Sequence, residues 1–222
     1  MTTYIDINIL QNVAPGCLNR DDVGAPKTAM FGGTRRARIS SQCLKRAQRK
    51  AFAQMGLLEE EELGTRTNRI VSHIETALTA RGLEDTREAI TAALYLAGLK
   101  VKEKKAKADG SEGGVQTDYL LFLSNTAIAE LIDVIAEHHE ALASGKAPAS
   151  VKKVVQGCIG ANSVDVAMFG RMIADDKELS TDAAIQVAHS LSTHAVQRES
   201  DFFTAVDDLA PADEAVSGML GS

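Results

Sequence analysis

Ile5, Ile7 and Ile9 alternate with Asp6 and Asn8, and apolar positions at a period of two mark a half-buried strand. A first strand is therefore expected there. From residue 11 to 34 the pattern breaks, because Pro15, Gly16, Asn19, Asp21, Asp22, Gly24, Pro26, Gly32 and Gly33 all oppose regular structure. Irregular connections of this length more often carry function than not. After Ser40 or Ser41 the period becomes helical. Leu44, Ala47, Ala51 and Met55 fall in one stripe with Phe52 at its edge, and Lys45, Arg46, Arg49 and Lys50 fall opposite.

Acids from Glu59 to Glu62 suit a helix start, with Ile70, Val71, Ile74 and Leu78 at helical spacing toward Gly82. Further helices are expected over roughly 85–99 and 118–143, the latter stopping at Gly145, with a charged, glycine-rich loop at 100–114 between them. A short helix is expected at 151–155. Over 163–172, Val164, Val166 and Met168 alternate with Asp165 and Ala167, which predicts a strand or ribbon. Residues 183–196 fit either period, and a buried strand is the reading preferred here. Phe202 and Phe203 follow in an acid-rich stretch; they suit a core pair or a stacking surface for a base.

Charge changes the picture more than composition does. The 222 residues are 45% apolar, and the net charge of −6 argues against a uniformly basic nucleic-acid binder. Yet residues 1–50 hold nine Lys/Arg against three acids, a balance of +6, so the remainder carries −12. A basic entry segment on an acidic body suits one groove that grips a polyanion. Within it, FGGTRRARISSQCLKRAQRK (31–50) sets a Gly-Gly turn, arginines, and a Ser-Ser pair before the cationic helix. Arginines grip phosphates bidentately and a helix start offers amides. A solvated cationic face is the alternative, and the lysines of 100–107 carry the same ambiguity. The three cysteines (Cys17, Cys43, Cys158) lie far apart and read as reduced thiols, and the five histidines show no metal-ligand spacing. No metal or cofactor is assigned. No secretory signal or membrane span is recognisable, so a cytoplasmic location is expected.

CLNRDD (17–22), Lys27, the 31–50 block, DVAMFGRM (165–172) and DFFTAVDDL (201–209), taken in order, resemble the CasC backbone-subunit family of the type I-E CRISPR Cascade complex. The resemblance covers essentially the whole chain. It implies an α+β fold shaped like a hand: an RRM-like (ferredoxin-like) palm, a large helical fingers insertion and an extended hairpin thumb. The corresponding divisions are 1–58 for the N-terminal part of the palm, 59–182 for the fingers, 183–195 for a palm strand and 196–222 for the thumb. Family members continue with strands and helices that complete the palm, so the palm of these residues is expected to be incomplete.

The resemblance further implies an RNA-binding scaffold without catalysis. Copies stack head to tail along a CRISPR RNA beside other Cascade subunits, and the guide pairs with a target DNA strand. Carried over position by position, palm contacts fall on Arg20, Lys27, Arg38, Ser40, Gln42, Lys45 and Arg49. Met168 on the fingers and Phe203 with Thr204 on the thumb sandwich a displaced nucleotide. The alternative is an RNA-cleaving backbone subunit, with Asp21, Asp22, Asp207 or Asp208 as the acidic loop residue.

Overall fold

A computed structural model describes residues 3–104, 113–173 and 177–199, together with the backbone of 201–206 and 216–221. In chain order the elements are β1 (Thr28–Phe31), β2 (Thr34–Ile39), α1 (Ser41–Gln54), β3 (Gly64–Thr67), α2 (Ile70–Ala80), α3 (Arg87–Leu96), β4 (Val101–Lys104), β5 (Gly114–Thr117), β6 (Leu121–Ser124), α4 (Asn125–Ala143), α5 (Ala149–Gly160), α6 (Val164–Phe169), β7 (Ser190–Leu191), β8 (Asp201–Val206) and β9 (Val216–Gly221). The chain divides into two compact units, Met1–Lys45 with Val187–Ser222, and Arg46–Gln186. The division falls inside α1.

In the first unit, β1 and β2 form a hairpin closed by the pair Phe31 and Thr34. Gly32 and Gly33 have φ of 61° and 72°, the doubly left-handed turn that matches the twist of a two-residue hairpin and that glycine accepts without strain. β7 pairs antiparallel with β2 through Arg38–Leu191 and Ile39–Ser190. The regular ladder stops there because Ser192 takes over: its hydroxyl accepts from Ala37 N at 3.0 Å while its amide donates to Ala37 O at 3.0 Å. Val196 N then reaches Arg35 O at 2.9 Å. The strand expected over 183–196 is thus a two-residue ladder with an irregular extension, and it lies exposed rather than buried. β8 and β9 form a separate antiparallel hairpin with Phe203 opposite Met219 and Thr204 opposite Gly218.

A further expectation fails in this part of the chain. Ile5, Ile7 and Ile9 form no strand: residues 3–14 have no regular structure, and the three side chains are about 80% exposed. Their alternation needs a hydrogen-bonded neighbour and a covering layer, and neither exists among the described residues. The apolar stripe of α1 forms as a helix face but is only partly covered among the described residues: Leu44, Ala51 and Phe52 are half-buried, Ala47 and Met55 are exposed, and no residue of that helix is fully buried. Ala25 is the buried apolar side chain that the first unit contributes among the described residues. Among the described residues the unit is tied together by hydrogen bonds that Asn19, Asp21 and Ser192 accept and Arg36 donates.

The second unit has an ordinary core. Ile70, Ile74 and Leu78 of α2, Ile90 and Leu94 of α3, Leu131 and Ile135 of α4, and Val155 and Ile159 of α5 are almost completely buried in one cluster, each contributing roughly 1.5–3 kcal/mol by transfer from water. The helix expected from Glu59 to Gly82 is broken into a 3-10 turn at Glu60–Glu62, the strand β3 and then α2. Likewise the helix expected from residue 118 begins only at Asn125, because Leu121–Ser124 pairs with β3. Ser124 caps α4 by accepting from Ala127 N. The expected loop at 100–114 is partly a hairpin of β4 and β5, and residues 105–112 lie outside the described residues. The strand predicted over 163–172 is the short helix α6. Arg171, 5% exposed, closes the end of α5 by donating to Gly160 O and Ala161 O, both at 3.1 Å, and to Leu179 O at 3.0 Å. Burial among carbonyls pushes its guanidinium below the ordinary value. Among the described residues no helix is long and apolar enough to cross a membrane.

Candidate nucleic-acid interface

The basic segment is organised by one residue, Asn19, whose type marks it in the sequence only as an opponent of regular structure. Asn19 accepts from Lys27 N through its backbone carbonyl at 2.9 Å and from Ser40 N through its side-chain oxygen at 2.9 Å. It thereby ties the start of β1 to the start of α1. Arg20 follows Asn19 and bridges to Pro26, while Arg38 N donates to Lys27 O at 2.9 Å. Three cations spread over nineteen positions of sequence become neighbours along two short backbone pairings. Asp21 fixes the turn between them, its carboxylate accepting from Val23 N at 3.1 Å and Ala25 N at 2.8 Å.

Ser40 is 4% exposed. Its hydroxyl caps α1 by accepting from Cys43 N at 3.3 Å, and such a cap stabilises a helix by about 1 kcal/mol. Ser41 N is taken by His189 Nδ1 at 2.9 Å. The serine pair therefore builds the helix start. Gln42 is exposed and Lys45 half-buried; three residues apart, they share a face of α1.

Arginines that look alike in sequence differ in what they touch. Arg36 is engaged by carbonyls, donating to Phe31 O at 3.2 Å, Ser192 O at 3.0 Å and Thr193 O at 2.6 Å. Arg81 and Arg87 pair with Asp133 and Glu75. Arg49 pairs with Asp165 at 3.1 Å, donates to Gly64 O at 2.9 Å and lies 4.0 Å over the Phe122 ring. Arg20 donates to Gly24 O at 2.5 Å, Arg38 Nε is buried with no hydrogen-bond partner, and among the described residues none of Arg20, Lys27, Arg36, Arg38 and Lys45 forms an ion pair. An unsatisfied buried donor costs about 1–3 kcal/mol. The accessible ends of these cationic side chains, though not the buried Arg38 Nε, offer donors to phosphate oxygens.

The expected contacts thus fall into separate groups. Arg20, Lys27, Arg38, Ser40, Gln42 and Lys45 belong to the first unit, and Arg49 and Met168 to the second. Met168 is half-buried on α6, its carbonyl accepting from Ile185 N at 3.1 Å. Phe203 and Thr204 lie in β8, with side chains outside the described residues. Of the acids weighed for cleavage, Asp21 is occupied by backbone amides and Asp22 is exposed; Asp207 and Asp208 lie outside the described residues.

A family model described as CT1975-like protein matches residues 5–222. No curated protein matches the chain. Among solved structures, a chain of a CRISPR RNA-guided surveillance complex in a pre-nicking state is 32% identical at a TM-score of 0.67, covering 91% of this chain and 57% of that one. A chain of another CRISPR RNA-guided surveillance complex is 31% identical at a TM-score of 0.61, covering 82% of this chain and 56% of that one. The 222 residues span somewhat more than half the length of these similar chains.

Proposed function

The chain belongs to the CT1975-like protein family, and on that premise we propose that it is a backbone subunit of a CRISPR RNA-guided surveillance complex of type I-E that holds the guide RNA without cutting it. The observation that carries this reading is the set of cations at Arg20, Lys27, Arg38 and Lys45, near the capped start of α1, that have no carboxylate partner among the described residues. In a chain with 30 acids against 24 bases, cations left without carboxylate partners point to an anion supplied from outside.

In this reading the guide's sugar-phosphate lies along Lys27 and Arg38 and across the first turns of α1, where Gln42 and Lys45 reach it. Ser40 acts through the cap that fixes the helix start. Phosphate contacts position a strand without reading it, which suits a subunit that must accept any guide and leave bases free for a target DNA strand. Successive copies stack head to tail along the RNA beside the other subunits. Met168 of one copy and Phe203 with Thr204 of the next hold a nucleotide displaced at regular intervals, and stacking on an aromatic ring is worth about 1–3 kcal/mol per base. Occupation of Asp21 by Val23 and Ala25 amides disfavours the cleaving alternative at that residue. Footprinting the guide within the assembled complex tests the proposal. Protection of phosphates at a regular interval is expected, and uniform accessibility along the guide would refute it.

A further inference from the structure

We propose that Arg49 and Phe52 of α1 are positioning residues for Met168, acting through α6 and not through the RNA phosphates. The inference rests on the reading of Met168 given above and adds to it what holds that residue in place. α6 has six residues, far fewer than the dozen or so an isolated helix needs, so its orientation comes from tertiary contacts: Val166 is fully buried, and each end is gripped by a residue of α1. At its first turn Asp165, 1% exposed, accepts from Arg49 Nε at 3.1 Å and from Ser163 Oγ at 2.7 Å. At its last turn Phe169 stacks on Phe52 with ring centroids 6.0 Å apart and planes 20° from parallel. The two grips match in spacing: Arg49 and Phe52 are three residues apart on α1, Asp165 and Phe169 four apart on α6, and each pair shares a helix face.

Met168 lies between these grips and is half-exposed. Its carbonyl and that of Ala167 are taken by Ile185 N at 3.1 Å and Ala184 N at 2.9 Å, which fixes the backbone under a partly exposed side chain. Arg49 is already engaged. Its planar fork meets Asp165 on one edge and Gly64 O on another, with Phe122 against its face, a geometry that a lysine does not reproduce. Asp165 needs this cation because an unpaired buried carboxylate is strongly disfavoured.

The test uses the assembled complex with guide RNA and compares Arg49→Gln, Asp165→Asn, the double variant, Phe169→Leu and Met168→Ala. Two quantities are read: the periodic chemical reactivity of displaced nucleotides, and the slope of RNA retention against salt. A positioning role predicts that Arg49→Gln and Asp165→Asn each flatten the periodicity toward the Met168→Ala pattern, that the double variant loses no more than either single, and that the salt slope stays at the wild-type value. Phe169→Leu, which leaves the ion pair in place, should flatten it too. A salt slope lowered by about 0.7 per copy in Arg49→Gln, with periodicity intact, would make Arg49 a phosphate contact and overturn the inference. So would periodicity lost in Met168→Ala but kept in Arg49→Gln, Asp165→Asn and Phe169→Leu. Periodicity unchanged in Met168→Ala would instead remove the reading of Met168 itself.

Discussion

Replacing Asn19 by alanine deletes one hydrogen bond and so isolates what organises the basic segment. The side-chain oxygen of Asn19 accepts from Ser40 N at 2.9 Å, and Ser40 is 4% exposed. The variant leaves a buried amide without a partner, which costs about 1–3 kcal/mol. The carbonyl bond to Lys27 N remains, so the loss is confined to the start of α1. Amide hydrogen exchange at Ser40 in the folded chain should accelerate by about 5- to 150-fold, the same energy expressed as an equilibrium ratio. Guide retention should weaken at every salt concentration with an unchanged slope, because no cation has been removed. Asn19→Asp provides the contrast: a carboxylate keeps the acceptor and favours the helix start by about 0.3–1 kcal/mol, yet sets a negative charge beside Arg20. Protection at Ser40 should survive in that variant while RNA retention falls. Unchanged exchange at Ser40 in Asn19→Ala would refute the role assigned to Asn19.

Two predictions concern the second unit. A Cβ at Gly64 would lie 2.8 Å from Phe122 and 2.9 Å from Leu123 O, so Gly64→Ala should destabilise that unit by about 1–3 kcal/mol, read as a lower urea midpoint; an unchanged midpoint would mean that β3 and β6 are not packed as described. Burial first, and then the charge of Glu130 and the hydrogen bond to it, hold the Cys158 thiol above its ordinary value. Its contribution to stability is complete below the ordinary thiol value of the unfolded chain and is lost as pH rises through the higher folded one. Thermal melts of the wild type should therefore fall more steeply in alkali than those of Cys158→Ala, and parallel curves would contradict this.

What the sequence made legible was decided by how far each signal reaches. The cores of α2, α3 and α4 followed from Ile70, Val71, Ile74 and Leu78 and their counterparts, because a helix that buries one full stripe repeats its signal over several turns. The four-residue strands β3 and β6 were swallowed by adjacent helical patterns: neither GTRT nor LFLS is long enough to assert a period. In α6, Val164, Val166 and Met168 alternate by chance of composition, and contacts made by Asp165 and Phe169 override that alternation. The alternation of Ile5, Ile7 and Ile9 describes a face without a partner among the described residues. At the candidate site, residue types and the 31–50 motif pointed to phosphate. The distinction between Arg38, left unsatisfied, and Arg36 and Arg49, engaged by carbonyls and a carboxylate, was not legible. It depends on partners more than a hundred positions away. Asn19 stayed hidden for the same reason, since its bond to Ser40 spans 21 positions.

The central claim is that four cations of this chain hold an RNA backbone, and counterion release measures it most directly. Guide retention by the assembled complex would be titrated with salt for the wild type and for Arg20→Gln, Lys27→Gln, Arg38→Gln and Lys45→Gln combined. At about 0.7 per phosphate contact on a single strand, losing all four should lower the slope by about 3 for each copy of the chain, equally for unrelated guide sequences. An unchanged slope would place the RNA elsewhere and contradict the account.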